Sequence, residues 1–298
     1  MLNSQPLGFY DPSDLTQDAK RHGVTVLPVD INKSDWDHQL ISIEQTTETT
    51  TSVDKAANAQ TAKVPGVRLG FRLVAKLSQA GANAILDARR QATFYSAEDL
   101  VRRSGINQRD QQALAIAGAL ESISGNRHQA QWDLLGIEQL GGILENASAR
   151  ERNLELPLPT EGENIVADYM STGLTLGRHP LALLRDKLKK KRILSSAEWR
   201  EVPDGRFTRL AGIIKVRQRP GTATGIVFMT LEDETGHVNV VCWNTVVENF
   251  RREILGATMV AVYGETQRAG EVVHLIARKI EDLSWMLGEL STHSRNFH

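Results

Sequence analysis

The chain has 298 residues, 41% of them hydrophobic, and 35 Lys and Arg against 36 Asp and Glu leave a formal net charge of -1 at pH 7. That length can bury a core and sets an expectation of about two domains. No run of about 18 apolar residues occurs, which excludes a membrane-spanning helix, and MLNSQPLGFYDPSD has neither a basic nor an apolar leader pattern, so the expected address is the cytoplasm. The single cysteine, Cys242, excludes an internal disulfide framework and a multi-cysteine zinc site, and its apolar neighbours make it a core residue.

In chain order, DPSDLTQDAKRH (11–22) reads as a helix capped by Asp11 or Ser13 and ended by Gly23, and VTVLPV reads as a short strand. From Ile41 to Pro65 large apolar residues almost vanish, and the text is expected to be a flexible linker or insertion. From Gly66 to Leu135 the pattern is helical in short pieces. Leu73, Leu77, Ala80 and Ala84 fall on one stripe extended by Ile85 and Ala88, and Ser96 with Asp99 resembles a capping box. A third helical stretch, ENIVADYMSTGL and HPLALLRDKLKKK, breaks near Gly173 and Gly177.

The last third changes period. RFTRLAGIIKVRQ, GIVFMTLED, HVNVVCW, ATMVAVYGE and EVVHLIARKI are five runs of strand length rich in β-branched residues. Between the third and fourth lies TVVENFRREILG, with Val246, Val247, Phe250 and Ile254 on one helical face. Three strands, a helix and two strands is the order of an OB-fold, a five-stranded β-barrel.

Charge is segregated along this path. Arg185 to Arg219 holds 12 basic and 4 acidic side chains, a local +8, whereas the first 66 residues carry 9 acids and 5 bases. A basic block leading into a barrel points to nucleic acid. OB barrels bind single strands across strands two and three and between the loops joining strands one to two and four to five. Lys215, Arg217 and Arg219 lead into the first of these loops, with Arg217 and Arg219 expected on the same side. Arg268 sits in the second loop. Phe228 and Trp243 fall on the second and third strands, where a core position and a base-stacking platform are both open readings.

Motifs for catalysis are missing: there is no phosphate loop, HExxH or GxSxG. Two-metal nucleotide addition needs grouped carboxylates. The nearest are Glu232 to Glu234 in LEDETG, expected to be solvated turn residues, and His179 and His274 are expected to be structural. No cofactor is expected in this chain.

The runs NSQPLGFYDPSDLTQDAKRHGV, PVDINKSDWD, LPLPTEGENIVADYMSTGLTLGRHPLALLR, VRQRPGTATGIVFMTLEDETGHVNVVCW and the closing SRNFH resemble the carboxy-terminal third of the bacterial error-prone C-family DNA polymerase, an alpha-subunit-like translesion enzyme. The resemblance implies a multidomain α+β chain. Its parts are a remnant of the polymerase fingers (1–40), the linker (41–65), a helix-hairpin-helix unit (66–135), a helical connector with a basic end (136–204), the OB barrel (205–285) and a tail (286–298). It also implies that the polymerase aspartates, with their Mg2+, lie upstream, so the chain resembles a fragment without polymerase activity of its own. The implied partners are single-stranded or primer-template DNA, and no membrane.

Where the family's hairpin reads Gly, Leu, Gly, this chain has Lys76, Leu77 and Ser78. Lys76 supplies a point charge and Ser78 a hydroxyl, but the close backbone approach that glycine permits is lost. Two alternatives to DNA binding stay open at this stage. One is a scaffold for a sliding clamp or mutagenesis accessory protein, through the OB face or the helix around Leu181 to Leu184; the other is a remnant of a split polymerase gene.

Overall fold

The computed structural model describes residues 1–6, 11–46, 61–137, 156–221, 225–270, 272–287 and 295–297. They divide into two compact units, Met1–Leu176 and Gly177–His298. Among the described residues no helix is long and apolar enough to cross a membrane.

The first unit opens with α1 (Pro12–Arg21), whose Asp11 cap and Asp14 close a reciprocal capping box. A three-stranded sheet follows, made of β1 (Thr25–Leu27), β2 (Gln39–Thr46) and β3 (Thr61–Arg68). In it β3 lies centrally, parallel to β1 and antiparallel to β2. The linker expected from 41 to 65 is therefore strand at both ends, paired from Gln39↔Arg68 to Thr46↔Thr61; residues 47–60 lie outside the described residues. Hydrogen bonding between the two strands, which composition does not register, holds this text in a sheet.

Among the described residues six α-helices complete the unit: α2 (Gln79–Gln91), α3 (Ala97–Ser104), α4 (Gln108–Ile116), α5 (Glu121–Ser124), α6 (Arg127–Leu135) and α7 (Glu161–Thr172). The stripe expected from Leu73 to Ala84 is broken. Lys76 has φ 69, and the helix starts only at Gln79, so Ala82, Ile85 and Ala88 form the buried face. Ser96 caps α3 through the Asp99 amide, while the Asp99 carboxylate turns to Arg103 at 3.0 Å, so half of the expected box forms.

In the second unit, α8 (Pro180–Lys190) and α9 (Ser196–Arg200) precede the barrel strands β4 (Phe207–Gln218), β5 (Val227–Asp233) and β6 (Gly236–Cys242). The short helices α10 (Asn244–Asn249) and α11 (Arg251–Gly256) lead to β7 (Met259–Ala269) and β8 (Val272–Asp282). The connector expected to run to residue 204 is thus divided, and its last two helices group with the barrel. The sheet runs β5-β6-β8-β7-β4 and closes through β4 with β5, and β9 (Arg295–Phe297) is added beside β4. This is the five-stranded OB order.

Alternation decides what fills the barrel. Leu210, Ile214, Met229, Leu231, Val240 and Val262 point inward with Cys242, whose thiol burial pushes up to about 12. Gly212 sits where a Cβ would meet Leu231 Cβ at 2.8 Å, so the strand can approach its neighbour there only without a side chain. Trp199 of α9 enters the core, and its indole N–H donates to Thr266 Oγ1 at 2.9 Å.

Candidate nucleic-acid interface

Two hairpins in the first unit share one construction. In each, a residue in the left-handed region is followed by a buried apolar residue and a helix cap: Lys76 (φ 69), Leu77 and Ser78 before α2, and Gly105 (φ 63), Ile106 and Asn107 before α4. Ser78 Oγ accepts from the Gly81 amide at 2.9 Å, and Asn107 Oδ1 from the Asp110 amide at 2.9 Å. The buried Asp110 carboxylate then joins the two. It accepts from the Ser78 amide at 2.8 Å, the Ser78 hydroxyl at 2.7 Å and Asn107 Nδ2 at 3.0 Å.

The Ser78 hydroxyl and amide are thus engaged inside the unit by an acid of the chain itself, and Lys76 alone of that pair keeps an exposed charge. The hairpin that keeps a glycine in the left-handed position is the second. Its signal, S-G-I-N between two helical runs, stands in the sequence at 104–107.

On the barrel, positions that alternate with the core form an outward face across β5, β6 and β8. Phe228 lies opposite Val241, which lies beside Ile276, and Thr230 lies opposite Asn239, which lies beside His274. Phe228 is half-buried and stands outside the core, which sets aside the core reading. Trp243 lies one residue past the end of β6, at the cap position of α10, and is 50% exposed. Arg219 is exposed just beyond β4, at the entrance to the loop that returns to β5. These three side chains remain candidates for contact with a nucleic-acid strand.

The other barrel cations expected at this site are engaged elsewhere. Arg217 was expected beside Arg219 on the surface, but it is 8% exposed and its guanidinium donates to the carbonyls of Ile254, at 2.6 Å, and Ala257. It supplies donors to carbonyls at the end of α11 that the helix cannot satisfy itself. Burial draws its pKa below the ordinary arginine value. Arg217 is therefore corrected from a phosphate contact to a buried bond of the barrel. Lys215 is largely buried, its Nζ 3.4 Å from Glu232. Arg268 is exposed but lies on β7 rather than in a loop. Its amide donates to Asp204 Oδ1 at 2.8 Å, and its guanidinium donates to the carbonyls of Val202, at 3.0 Å, and Arg200.

Glu232 and Asp233 are buried rather than solvated. The Asp233 carboxylate accepts from the amide and hydroxyl of Ser196, at 2.6 and 2.8 Å, and from the amides of Thr235 and Gly236. Glu234 accepts from Arg185 at 2.8 Å. The acidic turn ties α8 and α9 to the barrel, and the partners of Asp233 and Glu234 are structural.

His179 caps α8, its Nδ1 accepting from the Leu181 amide at 3.1 Å, and burial lowers its pKa, which keeps the ring neutral as a cap requires. His274, by contrast, stands in the outward rows of the barrel, a position that strand alternation alone could have indicated. Leu181 and Leu184 are buried with Leu188 against Ala211 and Ile213 of β4 and Met259 and Ala261 of β7. The apolar side of α8 is consequently occupied by the barrel and does not offer these leucines to a partner.

A hairpin-bearing helical unit and a closed five-stranded barrel with a mixed aromatic and polar outer face define a nucleic-acid-binding class of protein. Residues 23–130 match the helix-hairpin-helix motif family, and residues 208–283 match the OB-fold nucleic acid binding domain family.

The whole chain is 45% identical over 298 residues to the error-prone DNA polymerase of Azoarcus sp. (strain BH72) and 46% identical over 299 to that of Dechloromonas aromatica (strain RCB). It is a homologue of the carboxy-terminal portion of error-prone DNA polymerases. All of the chain is covered, but it spans about a quarter, 27%, of the length of those relatives. Among solved structures, asparaginyl-tRNA synthetase from Pyrococcus horikoshii aligns over 30% of this chain and 23% of its own at 26% identity, with a TM-score of 0.27, too weak a likeness to argue from.

Proposed function

We propose that this chain is the DNA-binding portion of an error-prone polymerase acting in replication and damage-induced translesion synthesis, and that it performs no nucleotide transfer itself. It holds single-stranded template or primer-template DNA across the β5–β6–β8 face of the barrel in the cytoplasm. The observation that carries this reading is the outward placement of Phe228 on β5, on the face where OB barrels take single strands, with Trp243 exposed just past β6 and Arg219 exposed just past β4. Bases stack on the rings, and Arg219 contributes charge to the phosphates. Lys76 and the Gly105 hairpin add contacts to duplex phosphates. The chain needs no cofactor for this, and Mg2+ serves only the catalytic carboxylates of the full-length enzyme.

Fluorescence anisotropy with labelled single strands tests the proposal. Affinity falls as salt rises, and Arg219→Ala weakens binding to all sequences alike and makes the log–log salt slope shallower by about 0.7. Phe228→Ala costs about 1–3 kcal/mol of binding, the range for one stacked base. Absence of single-strand binding at low salt, or binding indifferent to salt, would sink the reading. Primer extension by the chain alone is nil; metal-dependent extension would overturn its noncatalytic part.

A further inference from the structure

We propose that the barrel carries a second surface for single-stranded nucleic acid, formed by Lys191, Arg192, Arg209, Tyr263, Lys279 and Trp285. Its geometry is independent of the β5–β6–β8 face. Arg209 pairs with Tyr263 across β4 and β7, and Tyr263 with Lys279 across β7 and β8, so the three make one cross-strand row. The Arg209 guanidinium lies 5.7 Å from the Tyr263 ring centre and Lys279 Nζ 5.1 Å from it. Beside this row, Lys191 Nζ lies 5.9 Å from the ring of Trp285. Arg209 Nη1 donates to the Lys191 carbonyl at 3.3 Å, which joins the two cation–aromatic groups into one patch.

Charge and exposure distinguish this patch from ordinary sheet packing. Lys191, Arg192, Arg209 and Lys279 are exposed, and Trp285 is 69% exposed. Among the described residues none of the four cations forms an ion pair. The acid in contact with the row is Glu281, and it accepts from the Tyr263 hydroxyl at 2.8 Å. Four cations gathered in a chain whose net charge is -1 repel one another and concentrate a positive field. A polyanion relieves that repulsion.

The exposed indole decides which polyanion. A flat ring beside cations suits a base stacked next to its phosphate, whereas an acidic peptide makes no use of the ring's face. Lys279 lies five residues along β8 from His274 of the first face, about 16 Å at the rise of an extended strand. A strand longer than one barrel face therefore meets a second set of contacts.

The test uses the whole chain with oligo(dT) of roughly 10 and roughly 40 nucleotides, within and well beyond the ~4–16 nucleotides that one OB barrel occupies. Lys191→Glu with Lys279→Glu, and separately Trp285→Ala, are expected to lower affinity for the long strand about tenfold while short-strand affinity changes less than about twofold. All three positions are exposed, and circular dichroism confirms that the variants fold. Ultraviolet crosslinking of the long strand places a crosslink on the peptide containing Trp285.

Unchanged long-strand affinity in both variants, or a crosslink map lacking that peptide, overturns the proposal. So does polyglutamate that binds the wild-type chain as tightly as the long strand and loses binding with the charge reversals. Loss of short-strand binding in Phe228→Ala reports on the first face alone. If the wild-type chain fails to bind short strands, the first-face reading fails and the long-strand comparison still decides the second.

Discussion

Two regions of the barrel's outer surface are built by the same alternation and put to opposite uses. On β4 and β7, Ala211, Ile213, Met259 and Ala261 are apolar and are sealed by Leu181, Leu184 and Leu188 of α8. Across β5, β6 and β8 the equivalent rows are mixed, with Thr230, Asn239 and His274 beside Phe228, Val241 and Ile276. An outward row made only of apolar side chains needs a covering element to leave water. A row that mixes rings, amides and hydroxyls tolerates water and can exchange it for a ligand.

The contrast can be broken from either side. The largest effect is expected from Leu188→Ala on the sealed face, a loss of about 2–5 kcal/mol in stability by urea denaturation with oligonucleotide affinity unchanged. A comparable loss of affinity would mean that the sealed face also contributes to binding. Arg217→Ala should cost about 3 kcal/mol of stability, because it strips donors from buried carbonyls. Arg219→Ala, two residues on, should change stability by less than about 0.5 kcal/mol, as expected of a surface substitution. Equal melting temperatures for those two variants would contradict the assignment of Arg217 to the interior.

The smallest effect concerns the hairpins. Lys76→Gly places the residue that left-handed backbone favours at φ 69, and a gain of about 1 kcal/mol in stability is expected. Gly105→Ala should move the other way by a similar amount, and thermal unfolding of both checks the pair.

Much of the fold could be read in advance. Strand alternation and turn text located all five barrel strands, and cap residues located α1 and α3. The site was legible only in part. Arg219 and Trp243 are exposed as a surface role requires, whereas Arg217 shares the same local text and lies inside. Burial of a guanidinium depends on carbonyls of Ile254 and Ala257, which are remote in sequence. The acidic turn was misjudged for the same reason, since its partners Ser196 and Arg185 come from helices well upstream.

By itself the sequence determined the strands of the barrel, their order along the chain and the resemblance of the whole chain to error-prone polymerases, because periodicity and extended motifs are properties of neighbouring residues. Only the tertiary structure decided which cations reach the surface, which barrel face α8 seals and that the Asp110 carboxylate ties the caps of both hairpins together. Those outcomes rest on pairing between distant segments. Whether a charged group lies in water or against a carbonyl is fixed by what the fold brings beside it.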